Sequence, residues 1–160
     1  MFKYFIYILY FTLNTILPLS YAADLHRPEE AVAMVKNAIN YYKQAGKEKA
    51  FAEVSKTDGK FVDKELFVVI MDKNGVVLAH GFYHKMIGTN ISDVRDQNGV
   101  MPVQEIFKVA KSAGKGWAYY VWPNRLSRVP EPKASYVEIY DGLIFFCGIH
   151  YTKKPNLPTP

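Results

Sequence analysis

Residues 114–124, GKGWAYYVWPN, and residues 132–151, PKASYVEIYDGLIFFCGIHY, decide the fold of this chain. They read as three consecutive strands. Between Gly116 and Trp122, alternation sets Trp117, Tyr119 and Val121 on one face and Ala118, Tyr120 and Trp122 on the other. Aromatic bulk on both faces predicts a strand covered on both sides and placed away from a sheet edge. Lys133 to Tyr140 sets Lys133, Ser135, Val137 and Ile139 against Ala134, Tyr136, Glu138 and Tyr140. Asp141-Gly142 is the dipeptide of a two-residue hairpin turn, and the return strand sets Leu143, Phe145, Cys147, Ile149 and Tyr151 against Ile144, Phe146, Gly148 and His150. Lys133 stands out as an ammonium at the mouth of a largely apolar row.

Upstream, ELFVVIMD (65–72) is apolar on both faces, which makes it a central strand. Lys73-Asn74-Gly75 turns it back onto Val76–His80. Irregular chain follows from Gly81 to Gly99, with Gly88-Thr89-Asn90 and Asp96-Gln97-Asn98-Gly99 as turn-forming clusters. Pro102 starts a helix with Val103, Ile106, Phe107 and Ala110 on one face, and Gly114 ends it. Further back, Pro28-Glu29-Glu30 opens a helix whose stripe is Ala31, Val35, Ala38, Tyr42 and Ala45. Gly46 stops it, a second short helix carries Ala50, Phe51 and Val54, and residues 55–60 are loop. This order predicts an α+β domain, a five-stranded antiparallel sheet with the N-terminal helix on one face and the middle segment over the other.

The 160 residues are enough for one domain with one sizeable core, and the aromatic surplus of 12 Tyr and 10 Phe suits a filled sheet or a lined pocket. Phe5–Leu19 is an apolar run behind a single Lys3, and Ser20-Tyr21-Ala22 supplies small residues before Ala23. This is the pattern of a secretory signal peptide over residues 1–22, the rival reading being an uncleaved anchor. The domain is then expected over residues 23–152, with 153–160 a loose, proline-containing tail and no membrane span once the signal is cut. Removing Lys3 takes the formal charge from +5 to +4. The basic residues are scattered, so no nucleic-acid surface is expected. Cys147 is the only cysteine, which rules out an intrachain disulfide, and its apolar strand favours a small buried hydrophobe over a nucleophile. The four histidines (26, 80, 84 and 150) lack zinc-ligand spacing. Neither metal nor cofactor is expected.

AGKEKAFAEV, ELFVVIMDKNGVVLAHG, GTN, DQNG, GKGWAYYVWPN, PKASYV and CGIHY, in this order, resemble the single Cache domain (type 2) of bacterial periplasmic sensors over nearly the whole of residues 23–152. The resemblance implies a PAS-like sheet behind a long N-terminal helix. It also implies a small organic ligand, commonly a short carboxylate, on the sheet face covered by the loops and helix. Membrane receptors of that family continue into a second transmembrane helix and a cytoplasmic domain, whereas this sequence stops at Pro160. The expectation is therefore an exported, periplasmic or secreted sensor acting through a partner, such as a membrane receptor or kinase.

The residues themselves suggest where a ligand would sit. Lys133 either meets a ligand carboxylate or snorkels to solvent. Tyr120 and Trp122 share a face and bring a hydroxyl and an indole N–H, to orient a polar molecule or to pack a core. His80 closes an apolar strand beside Gly81, as a donor to the same anion or as a satisfied structural histidine. Tyr83 and Arg125 are further candidates in loops whose direction the sequence does not fix. Trp117, Tyr136 and Phe145 read as core. Three functions are in play: a ligand-binding module, an interaction or assembly protein that kept the fold without the pocket, and an enzyme. The last lacks a nucleophile–base pair, paired acids in an apolar setting and a metal set. Convergence of Lys133, Tyr120, Trp122 and His80 on one cavity separates the first from the second.

Overall fold

The computed structural model describes residues 27–155 and 157. The segment read as a signal peptide lies outside them. Helix α1 (Pro28–Ala45) begins with Pro28 in its first turn, and the Glu30 carboxylate accepts the Arg27 amide at 3.1 Å. It ends at Gly46, whose φ of 85° suits glycine. Helix α2 (Lys47–Val54) follows at once. Then come strands β1 (Val62–Asp63), β2 (Leu66–Met71) and β3 (Val77–His80), a 3₁₀ turn at His84–Met86, helix α3 (Pro102–Ala113), and strands β4 (Lys115–Pro123), β5 (Pro130–Tyr140) and β6 (Leu143–His150).

All pairings are antiparallel, and the order β3-β2-β6-β5-β4 is the five-stranded sheet expected. The two-residue β1 adds a sixth strand. Val68 donates its amide to Phe61 O and accepts Gly81 N at its carbonyl, both at 3.1 Å, so β1 and β3 lie along the same edge of β2. Asp141 and Gly142 have φ of 51° and 71°, the left-handed pair of a two-residue turn that twists with its strands. This sets Tyr140 opposite Leu143 and, further along, Ser135 opposite Gly148 and Lys133 opposite His150.

Strand alternation divides the interior into two cores, one on each face of the sheet. Leu66, Val68, Ile70, Ala134, Tyr136, Phe145, Cys147 and Ile149 pack under the stripe Ala31, Val35, Ala38, Ile39 and Tyr42 of α1. The Tyr42 hydroxyl donates to Asp141 Oδ2 at 2.7 Å, which ties the helix to the β5–β6 turn. Phe67, Val69, Met71, Ala118, Tyr120, Val137, Ile144 and Phe146 face the other way, under Val103, Ile106 and Ala110 of α3.

One expectation is corrected. Strand β4 is an edge strand, paired only with β5 among the described strands. Its outward row, Trp117, Tyr119 and Val121, is only half-buried. Trp117 lies 5.6 Å from the Tyr136 ring, and the Lys154 amine sits 4.3 Å above the Tyr119 ring. Alternation reports what covers a strand's two faces. It carries no information about whether a hydrogen-bonding partner lies along its side.

The irregular segment between β3 and α3 is held over the second core by specific bonds. Asp96 accepts the amides of Asn98 and Val100 on Oδ1, at 2.8 and 2.9 Å, and that of Val121 on Oδ2 at 2.9 Å. One carboxylate thus closes its own turn and fastens the segment to the sheet edge. Asn90 Nδ2 donates to Asn74 O at 3.0 Å, and Gln104 Nε2 donates to Ser92 O at 3.2 Å.

Candidate ligand pocket

Between the second face of the sheet and its cover lies a cavity of about 40 Å³ for the centres of water-sized molecules. Its walls are mostly apolar: Phe67, Val69 and Phe146 from the sheet, Met86, Ile91 and Val94 from the irregular segment, Val103 and Ile106 from α3. The polar lining consists of His80, Tyr120, Trp122, Lys133, Ser135 and Cys147. Four of the six candidate residues, Lys133, Tyr120, Trp122 and His80, therefore meet at one cavity.

Lys133 is 4% exposed and does not snorkel. Its ammonium lies 4.6 Å from the Phe67 ring centre, and among the described residues it has neither hydrogen-bond nor ion-pair partner. Burial pulls its pKa down from 10.5 to about 8, against weaker opposing pulls from Cys147 and Glu65. Gly148 makes this position reachable. A Cβ there would run into Ser135 Oγ and come within 2.5 Å of Lys133 Cε, so only glycine lets the lysine stem cross β6.

His80 Nδ1 accepts the amides of Phe82 and Tyr83, both at 3.0 Å. An accepting Nδ1 places the proton of a neutral imidazole on Nε2, which leaves an N–H donor for the cavity. Burial holds this histidine neutral, with its pKa near 3, and the Lys133 charge adds to the effect. Its ring stacks on Phe67 with centres 4.9 Å apart. Tyr120 and Ser135 share a hydrogen bond of 2.5 Å. That bond uses one of their two hydroxyl hydrogens and leaves the other for a third group. Burial raises the Tyr120 pKa, so the hydroxyl stays protonated. Trp122 is half-buried, edge-on to Tyr120 at 6.3 Å.

The two loop candidates stand one layer back. Tyr83 presents its amide to His80 and packs edge-on against His80 and Phe67, at 5.4 and 6.4 Å. Arg125 lays its guanidinium 4.5 Å above the Phe82 ring, with a buried Nη1 that has no hydrogen-bond partner among the described residues. Neither lines the cavity. His150, opposite Lys133, is buried as well, its Nδ1 4.0 Å from Glu131 Oε2. Burial, helped by Lys133, lowers its pKa to about 4. Cys147 is buried with its Sγ 3.8 Å from Met34 Sδ, and burial pushes its thiol up to about 12.

Sequence reasoning missed Phe67, Ser135 and Gly148 as pocket residues. A glycine inside an otherwise bulky strand was the available signal for Gly148. The roles of Phe67 and Ser135 depend on cross-strand register.

The family model for single Cache domain 2 matches residues 21–145. A methyl-accepting chemotaxis protein from Vibrio parahaemolyticus RIMD 2210633 shares the fold at 20% identity and a TM-score of 0.66, over 76% of this chain and 86% of its own. A Cache chemosensory domain, solved to show the structural basis of its carboxylic acid recognition, is 25% identical with a TM-score of 0.66, over 76% of this chain and 91% of its own. The periplasmic sensor domain of a chemotaxis protein matches at 24% identity and a TM-score of 0.57, over 77% and 89%.

Proposed function

This chain belongs to the single Cache domain 2 family of sensory domains, and from that premise we propose that it binds a short carboxylate in the cavity under α3. The observation that carries the reading is the buried Lys133 ammonium, which lines the cavity with no close ion-pair partner among the described residues and only a weak pull from Glu65. A lone buried cation is costly, and an anion is the partner that offsets the cost. The other polar groups agree. His80 and the Tyr120–Ser135 pair offer donors, and no Asp or Glu lines the cavity to hold a ligand's ammonium. The remaining wall is apolar and the space small, which fits an aliphatic tail of a few carbons and disfavours amino acids and dicarboxylates. Arg125 and Tyr83 support from behind, through Phe82 and His80. The carboxylic acid recognition of the similar chemosensory domain favours the same ligand class.

The binding reading is favoured over an interaction protein without a pocket by the convergence of four polar candidates on one cavity. The family is sensory, and no catalytic turnover is proposed. We place the domain outside the cytoplasm, with the bound state passed to a receptor or kinase partner. Isothermal calorimetry with acetate and propanoate is the test. Lys133→Met should fold and lose roughly 1.5–3 kcal/mol of binding, the range for hydrogen bonds to charged groups. Wild-type affinity should fall as pH rises through about 8, where the free lysine loses its proton. Unchanged affinity in Lys133→Met would refute the assignment.

A further inference from the structure

The buried amine has a second chemistry that the ionic reading does not use. We propose that Lys133 also captures short aliphatic aldehydes as a reversible imine inside the cavity. Three placements carry this. The Lys133 amine lines the cavity with neither hydrogen bond nor ion pair among the described residues, so its lone pair, once deprotonated, is not engaged by a donor. His80 lines the same cavity and keeps a proton on Nε2, where it can donate to a carbonyl oxygen. The surrounding Val69, Val103, Ile106 and Phe146 side chains receive the alkyl tail and keep bulk water from the adduct.

The groups facing the amine explain why its neutral form is accessible. Glu65 and Cys147 pull toward the charged form more weakly than burial pushes away from it. With a pKa of about 8, roughly a tenth of the amine is free base at pH 7, against well under a thousandth for a solvated lysine. Desolvated lysines of this kind are the ones that form Schiff bases. The step balances without an oxidant or reductant. The Nζ lone pair attacks the carbonyl carbon while the C=O π pair moves to oxygen, one Nζ proton is transferred to that oxygen to give a neutral carbinolamine, and the hydroxyl then leaves with the second Nζ proton as water while the C=N bond forms. Water entering the cavity reverses it.

Propanal with sodium cyanoborohydride at pH 7 tests the proposal on the wild-type protein, the reductant supplying the hydride that fixes the imine as a propylated amine. Peptide mapping should find Lys133 modified at least about tenfold faster than exposed lysines such as Lys36 and Lys85, with the α-amino group scored separately. Propanoate should suppress that labelling selectively. Labelling of Lys133 no faster than the exposed lysines overturns the proposal. The proposal shares its cavity with the carboxylate reading, but the two fail separately. Propanoate binding by calorimetry without selective labelling leaves only the carboxylate reading, and selective labelling without propanoate affinity leaves only aldehyde capture.

Discussion

Lys133 is held at a cost to the fold. Its pKa is lower in the folded chain than in the unfolded one, so the unfolded state binds the proton more tightly between pH 10.5 and about 8, and stability is reduced below that window. Lys133→Met should therefore raise the Tm of the ligand-free protein at pH 7, by an amount corresponding to roughly 1–3 kcal/mol, while weakening carboxylate binding. A lowered Tm would mean that the charge is compensated after all. His80 and His150 follow the same sign, with folded pKa values of about 3 and 4 against an ordinary 6.5. Stability should fall as pH drops below 6.5, by up to about 1.4 kcal/mol per unit for each histidine. Urea melts at pH 7 and pH 5 would show this, and His150→Gln should flatten the dependence. Gly148→Ala should cost about 1–3 kcal/mol through overpacking and abolish binding by displacing the lysine stem. Lys133 was legible in the sequence because a cation in an apolar row has no packing use. Gly148 was not, since its role appears only when Ser135 and Lys133 lie across from it.

At the scale of elements, periodicity located every long strand and helix, and the Asn-Gly and Asp-Gly turns located the β2–β3 and β5–β6 hairpins. Strand β1 escaped because two residues carry no period. The edge position of β4 escaped because aromatic cover on two faces does not require a third strand alongside. Nor did the sequence give the loop directions that put Tyr83 and Arg125 behind the pocket. DQNG was visible as a turn, but the bond from the Val121 amide to Asp96 joins positions distant in the chain. Asp96→Ala removes all three bonds made by this carboxylate and should lower stability by about 1–3 kcal/mol. Amide exchange at Val121 and Val100 should accelerate, and any bound carboxylate should dissociate faster because Ile91 and Val94 lose their anchor. Unaltered exchange at both amides would show that the segment is held by its apolar contacts alone.

Over the whole molecule, two cores back to back on one sheet account for an interior in which strands β2 and β6 are buried along their entire length. On the proposed binding to only one of them, in the native state alone, propanoate should raise Tm in proportion to the logarithm of its concentration above Kd. The partition between the cores is a single layer of backbone. Lys133 and Gly148 face the pocket, whereas Ala134 lies beneath α1 and Cys147, which also borders the cavity, turns its sulfur to Met34 of α1. The sheet is thus a diaphragm, and pressure applied by an anion on one side is delivered one peptide unit away on the other. The Met34 methyl resonance becomes a gauge for it, and should move on ligand addition although no ligand atom comes near.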